Sequence, residues 1–286
     1  MAIKKSIVVT GASTGIGWAT VKVLLGKGFR VYGTVRKPAD AERMQAEFGG
    51  SFSPLPMDVT DAAAVQAAAQ KVGNELGSET LLGLVNNAGI AVPGPLLHLA
   101  AEQLRRQFEV NVVAPMVVTQ AFAPLLGTDR RRIGTPGRIV NISSVSGKLG
   151  IPFLGAYVAS KHALEGMSES LRRELLLYGV DVIVVGPGAV VTPIWDKAEA
   201  DDYSAFAGTE YGPLIDSFRD YMLQEGRKGL AAERIGETVL TALTAAHPKV
   251  RYAVVPQRFK NWTLPMSLPK RMLDRMVGKQ IGLLRT

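Results

Sequence analysis

Two periods alternate along this chain. Short apolar runs at Ile7–Thr10, Arg30–Val35, Phe52–Met57, Leu81–Val85, Arg138–Ile142, Val180–Val185 and Arg251–Val255 predict buried strands. Between them apolar residues recur at helical spacing. That predicts one helix through Val21, Leu24 and Leu25 ending at Gly26 or Gly28, and one from an Asp61 N-cap to about Leu76. Others are expected from about Ala100 to Leu126, from Tyr157 onward, and at Ala232–Ala246. Strand–helix alternation with no repeat or linker predicts a single α/β domain over residues 1–256, a doubly wound, mostly parallel sheet of seven strands. Two stretches break the rhythm. Residues 193–229 carry Trp195, Tyr203, Phe206, Tyr211, Phe218 and Tyr221 among glycines and prolines, and read either as helical core or as an irregular lid over a substrate. Residues 257–286 form a basic tail with an apolar stripe.

The first strand runs into Gly11-Ala12-Ser13-Thr14-Gly15-Ile16-Gly17 and then a helix. Glycines let a backbone approach a pyrophosphate, and a helix N-terminus offers free N–H groups and a positive dipole. The spacing is G-x-x-x-G-x-G rather than the usual dinucleotide fingerprint, so the stretch is a phosphate cradle or a tight strand-to-helix turn. The second strand ends without a carboxylate for a ribose 2′-hydroxyl. Arg36, next after Val35, suits a 2′-phosphate, unless Arg36-Lys37-Pro38 is only a solvated turn. Following a phosphate loop, the NADP reading is the better of the two. Asn86-Asn87-Ala88-Gly89 places small residues at the end of the fourth strand, where a ligand can lie across it.

Tyr157-Val158-Ala159-Ser160-Lys161 places a phenol and an ammonium one turn apart on a helix. An ammonium there favours tyrosinate and lowers the phenol pKa toward the range of an acid/base catalyst. Ser144, just past the fifth predicted strand, can reach the phenol through a short loop. Asn111 interrupts an apolar helix with Pro115 behind it, and is either a satisfied core amide or a polar group turned toward the site.

Composition removes other chemistries. The chain has no cysteine, which excludes thiolate catalysis, disulfides and Cys-ligated metal, and its three histidines lack ligand spacing. No apolar run is expected to reach the ~18 residues of a membrane span. Met1-Ala2-Ile3-Lys4-Lys5-Ser6 leads straight into a strand without a signal-type apolar region, so a cytoplasmic location is expected. The net charge of +8 does not point to nucleic acid, because seven Lys/Arg against one Asp from Arg258 onward put +6 in the tail and leave +2 elsewhere. A helix from Lys270 to Gly282 would set Met272, Leu273 and Met276 among basic residues. Such a stripe packs on the body or a second subunit, or rests weakly on an anionic membrane surface.

Taken together, the motifs from residue 4 to 255 resemble the short-chain dehydrogenase/reductase family. The resemblance implies a Rossmann fold and an oxidoreductase that interconverts a ketone or aldehyde and an alcohol with NADP(H). The implied catalytic set is Asn111, Ser144, Tyr157 and Lys161. The implied cofactor residues are Gly11, Ser13, Thr14, Gly15, Ile16, Gly17, Arg36, Asp58, Val59, Asn87, Ala88, Gly89, Tyr157, Lys161, Pro187, Gly188, Val190 and Thr192, with no metal. Val31–Arg36 is similar to NADP-preferring members, and Arg251–Pro256 with its Leu/Pro/basic tail is similar to the hydroxysteroid and retinol dehydrogenase branch. That branch implies an apolar, steroid-, retinoid- or lipid-like substrate. A small-acyl or xenobiotic ketone reductase and a non-catalytic NADP(H)-binding protein are the alternatives. The resemblance also implies a homodimer or homotetramer, with Asn111 holding a water that links Lys161 to solvent. Gly186 departs from the pattern, since Asn or Arg often stands before Pro187-Gly188.

Overall fold

The computed structural model describes residues 5–200 and 202–284. The expectation for Met1–Lys4 and the last two residues of the tail, Arg285 and Thr286, lie outside the described residues. The chain runs β1 (Ser6–Val9), α1 (Gly15–Gly26), β2 (Arg30–Val35), α2 (Pro38–Phe48), β3 (Phe52–Pro56), α3 (Ala62–Leu76), β4 (Gly83–Asn86), α4 (Ala101–Phe108), α5 (Ala114–Phe122) and β5 (Arg138–Ile142). It continues with α6 (Gly155–Glu174), β6 (Asp181–Pro187), β7 (Val190–Val191), α7 (Ile194–Glu199), α8 (Gly212–Arg227), β8 (Leu230–Ala231), α9 (Ala232–Thr244) and β9 (Arg251–Val254). The tail adds α10 (Leu264–Ser267) and α11 (Lys270–Ile281).

Seven strands form one sheet in the order β3-β2-β1-β4-β5-β6-β9, and every pairing in it is parallel. Both faces are covered, as the unbroken apolar strands require. Alternate strand residues feed two cores: Val8, Tyr32, Leu84 and Ile139 meet α3 and α5 through Val65, Val72, Val118 and Phe122. Ile7, Val9, Val31, Val140 and Ile183 meet α1 and α9 through Val21, Leu24, Ile235 and Val239 on the other side. Each fully buried aliphatic side chain of this kind stabilises the fold by about 1.5–3 kcal/mol. The order reverses between β1 and β4, and the crevice above their C-terminal ends is where such a sheet holds a ligand.

Two expectations are corrected, and the choice left open for residues 193–229 is decided. The stretch from Ala101 to Leu126 is one continuous helical segment, and by length and composition it would suffice to cross a membrane. Its Val118, Phe122, Leu125 and Leu126 are instead buried in the core. Residues 193–229 are mostly helical, as α7 and α8, and not irregular. Phe206 and Phe218 pack with Phe153 and Ile215 into a satellite core, joined by Tyr203 and Tyr211. Trp195 lies against Gly226, where a Cβ would overlap its ring, and its indole N–H donates to the Val190 carbonyl at 2.7 Å. The stripe of the tail is also split. Leu273 and Val277 are partly covered and Gly278 is buried, and Ile281 and Leu283 pack on the satellite core, while Met272 and Met276 face outward.

Candidate active site

The glycine-rich loop is shaped from within. Gly11 has φ +63° and Gly15 φ +58°, left-handed values that disfavour a side chain, and a Cβ at Gly17 would overlap the Gly11 carbonyl oxygen. Gly17 therefore sits behind the loop and permits its closure, without lining the crevice. Thr10 stitches this loop to the next strand: its Oγ accepts from the Asn87 and Ala88 N–H groups at 2.9 and 3.0 Å. Asn87 Nδ2 returns hydrogen bonds to the Thr10 and Gly11 carbonyls at 2.9 and 3.1 Å. No side chain caps α1 and no acidic residue occupies its first turn, so its N-terminal dipole faces the crevice unneutralised.

That crevice is a cavity of about 960 Å³. Gly11, Ser13, Thr14, Gly15, Ile16, Arg36, Asp58, Val59, Asn87, Ala88, Gly89, Tyr157, Lys161 and Thr192 all line it, which brings together most of the residues expected from the motifs. Arg36 and Asp58 mark one end of the set, on the loops after β2 and β3, and Tyr157 and Lys161 mark the other, on α6. Asp58 Oδ1 accepts from the Thr60 N–H at 2.9 Å and its hydroxyl at 2.7 Å, and these bonds, helped by nearby Arg36, hold its carboxyl below the usual range. A glycine cradle, a bare helix N-terminus and a long cavity with a basic residue beyond the phosphate loop fit a phosphorylated dinucleotide.

Not every expected residue reaches the cavity. Val190 does not: its side chain is buried in the α1/α9 core, and its backbone pairs with β8. Pro187 ends β6, and the Gly188 N–H donates to the Val254 carbonyl at 2.9 Å. Asn111 is buried and fully occupied as a core amide. Its Oδ1 accepts from the Ile90 N–H at 2.9 Å, and its Nδ2 donates to the Ile90 carbonyl at 2.9 Å and to Ser160 Oγ at 3.1 Å. The chain around it widens into a π-turn, Glu109–Val113, immediately ahead of Pro115. Proline has no N–H, so the Asn111 carbonyl lacks the donor four residues on that a helix would supply.

Ser144 follows β5 and hydrogen-bonds the Tyr157 hydroxyl. Lys161 Nζ donates to the Ile142 carbonyl at 2.9 Å and lies 5.7 Å from the centre of the Tyr157 ring. The expected lowering of the Tyr157 pKa by Lys161 does not occur in the protein alone. Burial pushes the phenol up, and the Ser144 hydrogen bond opposes this only in part. Burial also lowers Lys161 to about 8, against the pull of Glu165.

Several residues to which the sequence reading gave no individual role hold this set in place. Gln107, fully buried one turn before Asn111, grips the neighbouring loop: its Oε1 accepts from the Val92 N–H at 2.7 Å and its Nε2 donates to the Ile90 carbonyl at 2.9 Å. Ser160 accepts from Asn111 and donates to the Tyr157 carbonyl at 2.7 Å. Asn86 Nδ2 donates to Thr119 at 3.1 Å and to Asn141 at 2.9 Å, joining β4 to β5 and α5 under the crevice. The four-residue step from Gln107 to Asn111 is the signal by which one of these was open to detection.

The short chain dehydrogenase family model matches residues 5–203. An NADPH-dependent 3-dehydrocapnine reductase of Ornithobacterium rhinotracheale is 38% identical over 274 residues, covering 96% of each chain. Retinol dehydrogenase 5 of Mus musculus is 32% identical over 283 residues, covering 95% of this chain and 87% of that one. A short-chain dehydrogenase from Streptomyces avermitilis superposes with a TM-score of 0.76 at 25% identity, over 99% of this chain and 98% of its own. With the crevice built as described and these likenesses running nearly end to end, the chain belongs to the short-chain dehydrogenase/reductase family and is an oxidoreductase.

Proposed function

We propose that this oxidoreductase uses NADP(H) to interconvert an apolar ketone or aldehyde and its alcohol, working toward reduction. The observation that carries the reading is Tyr157 and Lys161 lining one end of the cavity, with Ser144 behind that lining against the Tyr157 hydroxyl and Arg36 on the cavity wall beyond the glycine loop. Bound NADPH supplies the hydride. Ser144 holds the carbonyl oxygen against the phenol, and Tyr157 gives that oxygen a proton. Burial keeps Tyr157 in its phenol form, the form that donates the proton in the direction of reduction. Lys161 holds the cofactor ribose and, charged, favours the tyrosinate left after the transfer. Asn111 contributes its main-chain carbonyl to the water that returns the proton, since its amide is already committed to Ile90 and Ser160. Arg36 meets the 2′-phosphate. The NADPH-dependent relative supports this cofactor, and the retinol dehydrogenase supports an apolar substrate.

Exposed Leu104 and Val113 on the α4–α5 segment support a homodimer or homotetramer through the long helices. The proposal includes a cytoplasmic location with weak contact to anionic membrane through α11. NADPH absorbance in the presence of a panel of steroid, retinoid and long-chain ketones tests the function. Oxidation of NADPH by an apolar ketone is expected. Preference for small acyl or xenobiotic ketones would move the reading to the alternative reductase, and tight NADPH binding with no turnover on any ketone would leave only a binding protein.

A further inference from the structure

Behind Ser144 lies a buried ion pair with no part in the chemistry described so far. Arg251 on β9 is in register with Val184 of β6, and its guanidinium extends along the strand to lie over Gly186. A Cβ at Gly186 would overlap Arg251 Nη2 and come within 3.0 Å of Cζ, so the bare glycine is what makes room for the guanidinium. Arg251 Nε donates to both Glu165 oxygens at 3.0 Å each, and Nη2 lies 2.9 Å from Oε1. The side chain of Glu165 is 4% exposed and that of Arg251 16%. The same Nη2 donates to the Ser144 main-chain carbonyl at 3.1 Å. Ser143 Oγ donates to Glu165 Oε1 at 2.9 Å. Two consecutive residues after β5 are thus tied to one ion pair, Ser143 by its hydroxyl and Ser144 by its backbone. The Ser144 hydroxyl oxygen accepts from the Ser146 N–H at 3.1 Å and lies 3.5 Å from the Pro187 carbonyl oxygen.

We infer that Arg251, seated over Gly186 and paired with Glu165, is the positioning residue that fixes Ser144 against Tyr157. This rests on the reading of Ser144 and Tyr157 as the carbonyl-binding and proton-donating pair. The pair also bears on Lys161, because Glu165 is one turn further along the same helix and favours its charged form. The charged and titratable groups around this pair are Tyr157, Lys161 and Glu165 on α6, Lys148 at 3.3 Å from Glu165, and Arg251 from β9. The outer face of the guanidinium is covered by Trp262, whose ring centre lies 4.4 Å from Cζ, so the start of the tail clamps the positioning residue.

The test uses Arg251→Met, Arg251→Lys, Glu165→Gln and Gly186→Ala in the full chain, with Tyr157→Phe as control. Amide hydrogen exchange of residues 142–147, which needs no substrate, should rise in Arg251→Met. On a ketone that the wild type reduces, kcat should fall about ten- to a hundredfold, as a misplaced reacting group does, while the KM for NADPH stays within about twofold. Arg251→Lys should recover part of the loss, and Gly186→Ala, which displaces the guanidinium without removing it, should repeat the Arg251→Met signature. The alkaline limb of the kcat profile should move down in Glu165→Gln and up in Arg251→Met, opposite shifts that a merely structural pair would not produce. Unchanged exchange at 142–147, a kcat within twofold of wild type, or a KM for NADPH that rises in step with the loss overturns the inference. If Tyr157→Phe also keeps its rate, the acid role of Tyr157 fails first, and exchange alone decides the position of Ser144.

Discussion

Lys161 Nζ, buried on α6, donates a 2.9 Å hydrogen bond to the Ile142 carbonyl at the end of β5. An ammonium has three N–H donors, and one carbonyl does not replace the water lost on burial. Burial accordingly lowers its pKa from 10.5 to about 8. The folded protein therefore holds this proton less tightly than the unfolded chain does. Below pH 8 both states are charged and folding carries the cost in full. Between about 8 and 10.5 the folded state sheds its proton first and the cost fades. Lys161→Met should abolish turnover and yet stabilise the protein at pH 6.5 by about 2 kcal/mol, allowing for the lost hydrogen bond. The gain should shrink toward pH 10. Urea unfolding at the two pH values measures it, and a variant less stable than wild type at pH 6.5 would refute the account.

Tyr157→Phe keeps the ring against its neighbours and removes only the hydroxyl that meets Ser144. Turnover should drop by about 10²–10⁴-fold, the usual worth of a positioned acid. NADPH affinity, read by fluorescence, should hardly move. In the wild type, the reduction rate should be level below about pH 8 and decline above it as Lys161 discharges. A rate that instead climbs through pH 8 would assign the limb to a base and reverse the favoured direction.

The Ser144–Tyr157–Lys161 cluster was legible because it obeys a local rule: Tyr157 and Lys161 are one helical turn apart, and Ser144 lies just past a strand that pairs with β6. The glycine loop was legible for the same reason, since Gly11 and Gly15 take conformations that favour glycine. One helix was missed and another was left as one of two alternatives, and both cases involve proline. Pro38 opens α2, which had no counterpart among the predicted helices, and Pro213 lies in the first turn of α8, where it looked like a break. Proline in a first turn costs no hydrogen bond, so it marks a start there and not an end. Ser160 and the Glu165–Arg251 pair were hidden differently. Their partners come from other elements, as when Arg251 crosses 86 positions to reach Glu165, and no periodicity encodes such a meeting.

Arg36 is exposed, lines the cavity, and forms no ion pair among the described residues, so its guanidinium is free to meet a 2′-phosphate. Losing one charge-assisted contact of this kind costs about 1.5–3 kcal/mol, so Arg36→Ala should weaken NADPH binding roughly tenfold or more. NADH, which lacks the phosphate, should bind the variant as it binds the wild type. Titration of both cofactors by fluorescence checks this. Equal affinity of the wild type for NADPH and NADH would remove the role given to Arg36.

Helix α11 has two unlike faces, and they separate two effects of the tail. Ile281 and Leu283 pack on the satellite core with Phe153 and Phe218, and Trp262 covers Arg251, so removing everything after Pro256 should destabilise the body and lower turnover. The opposite face carries Met272 and Met276, 52% and 48% exposed, beside Lys270, Arg271, Arg275 and Lys279, none of which has an ion-pair partner among the described residues. Each basic residue near an anionic surface contributes about 1 kcal/mol, and the methionines add apolar area. Full-length protein should therefore co-sediment with phosphatidylserine vesicles at low salt and be released as salt screens the charge. Changing Lys270, Arg271 and Arg275 together to glutamate leaves the packed face untouched, so it should abolish sedimentation without changing the melting temperature or the turnover of a water-soluble ketone. If this variant sediments like the wild type, or if the wild type fails to sediment at any salt, α11 serves packing alone.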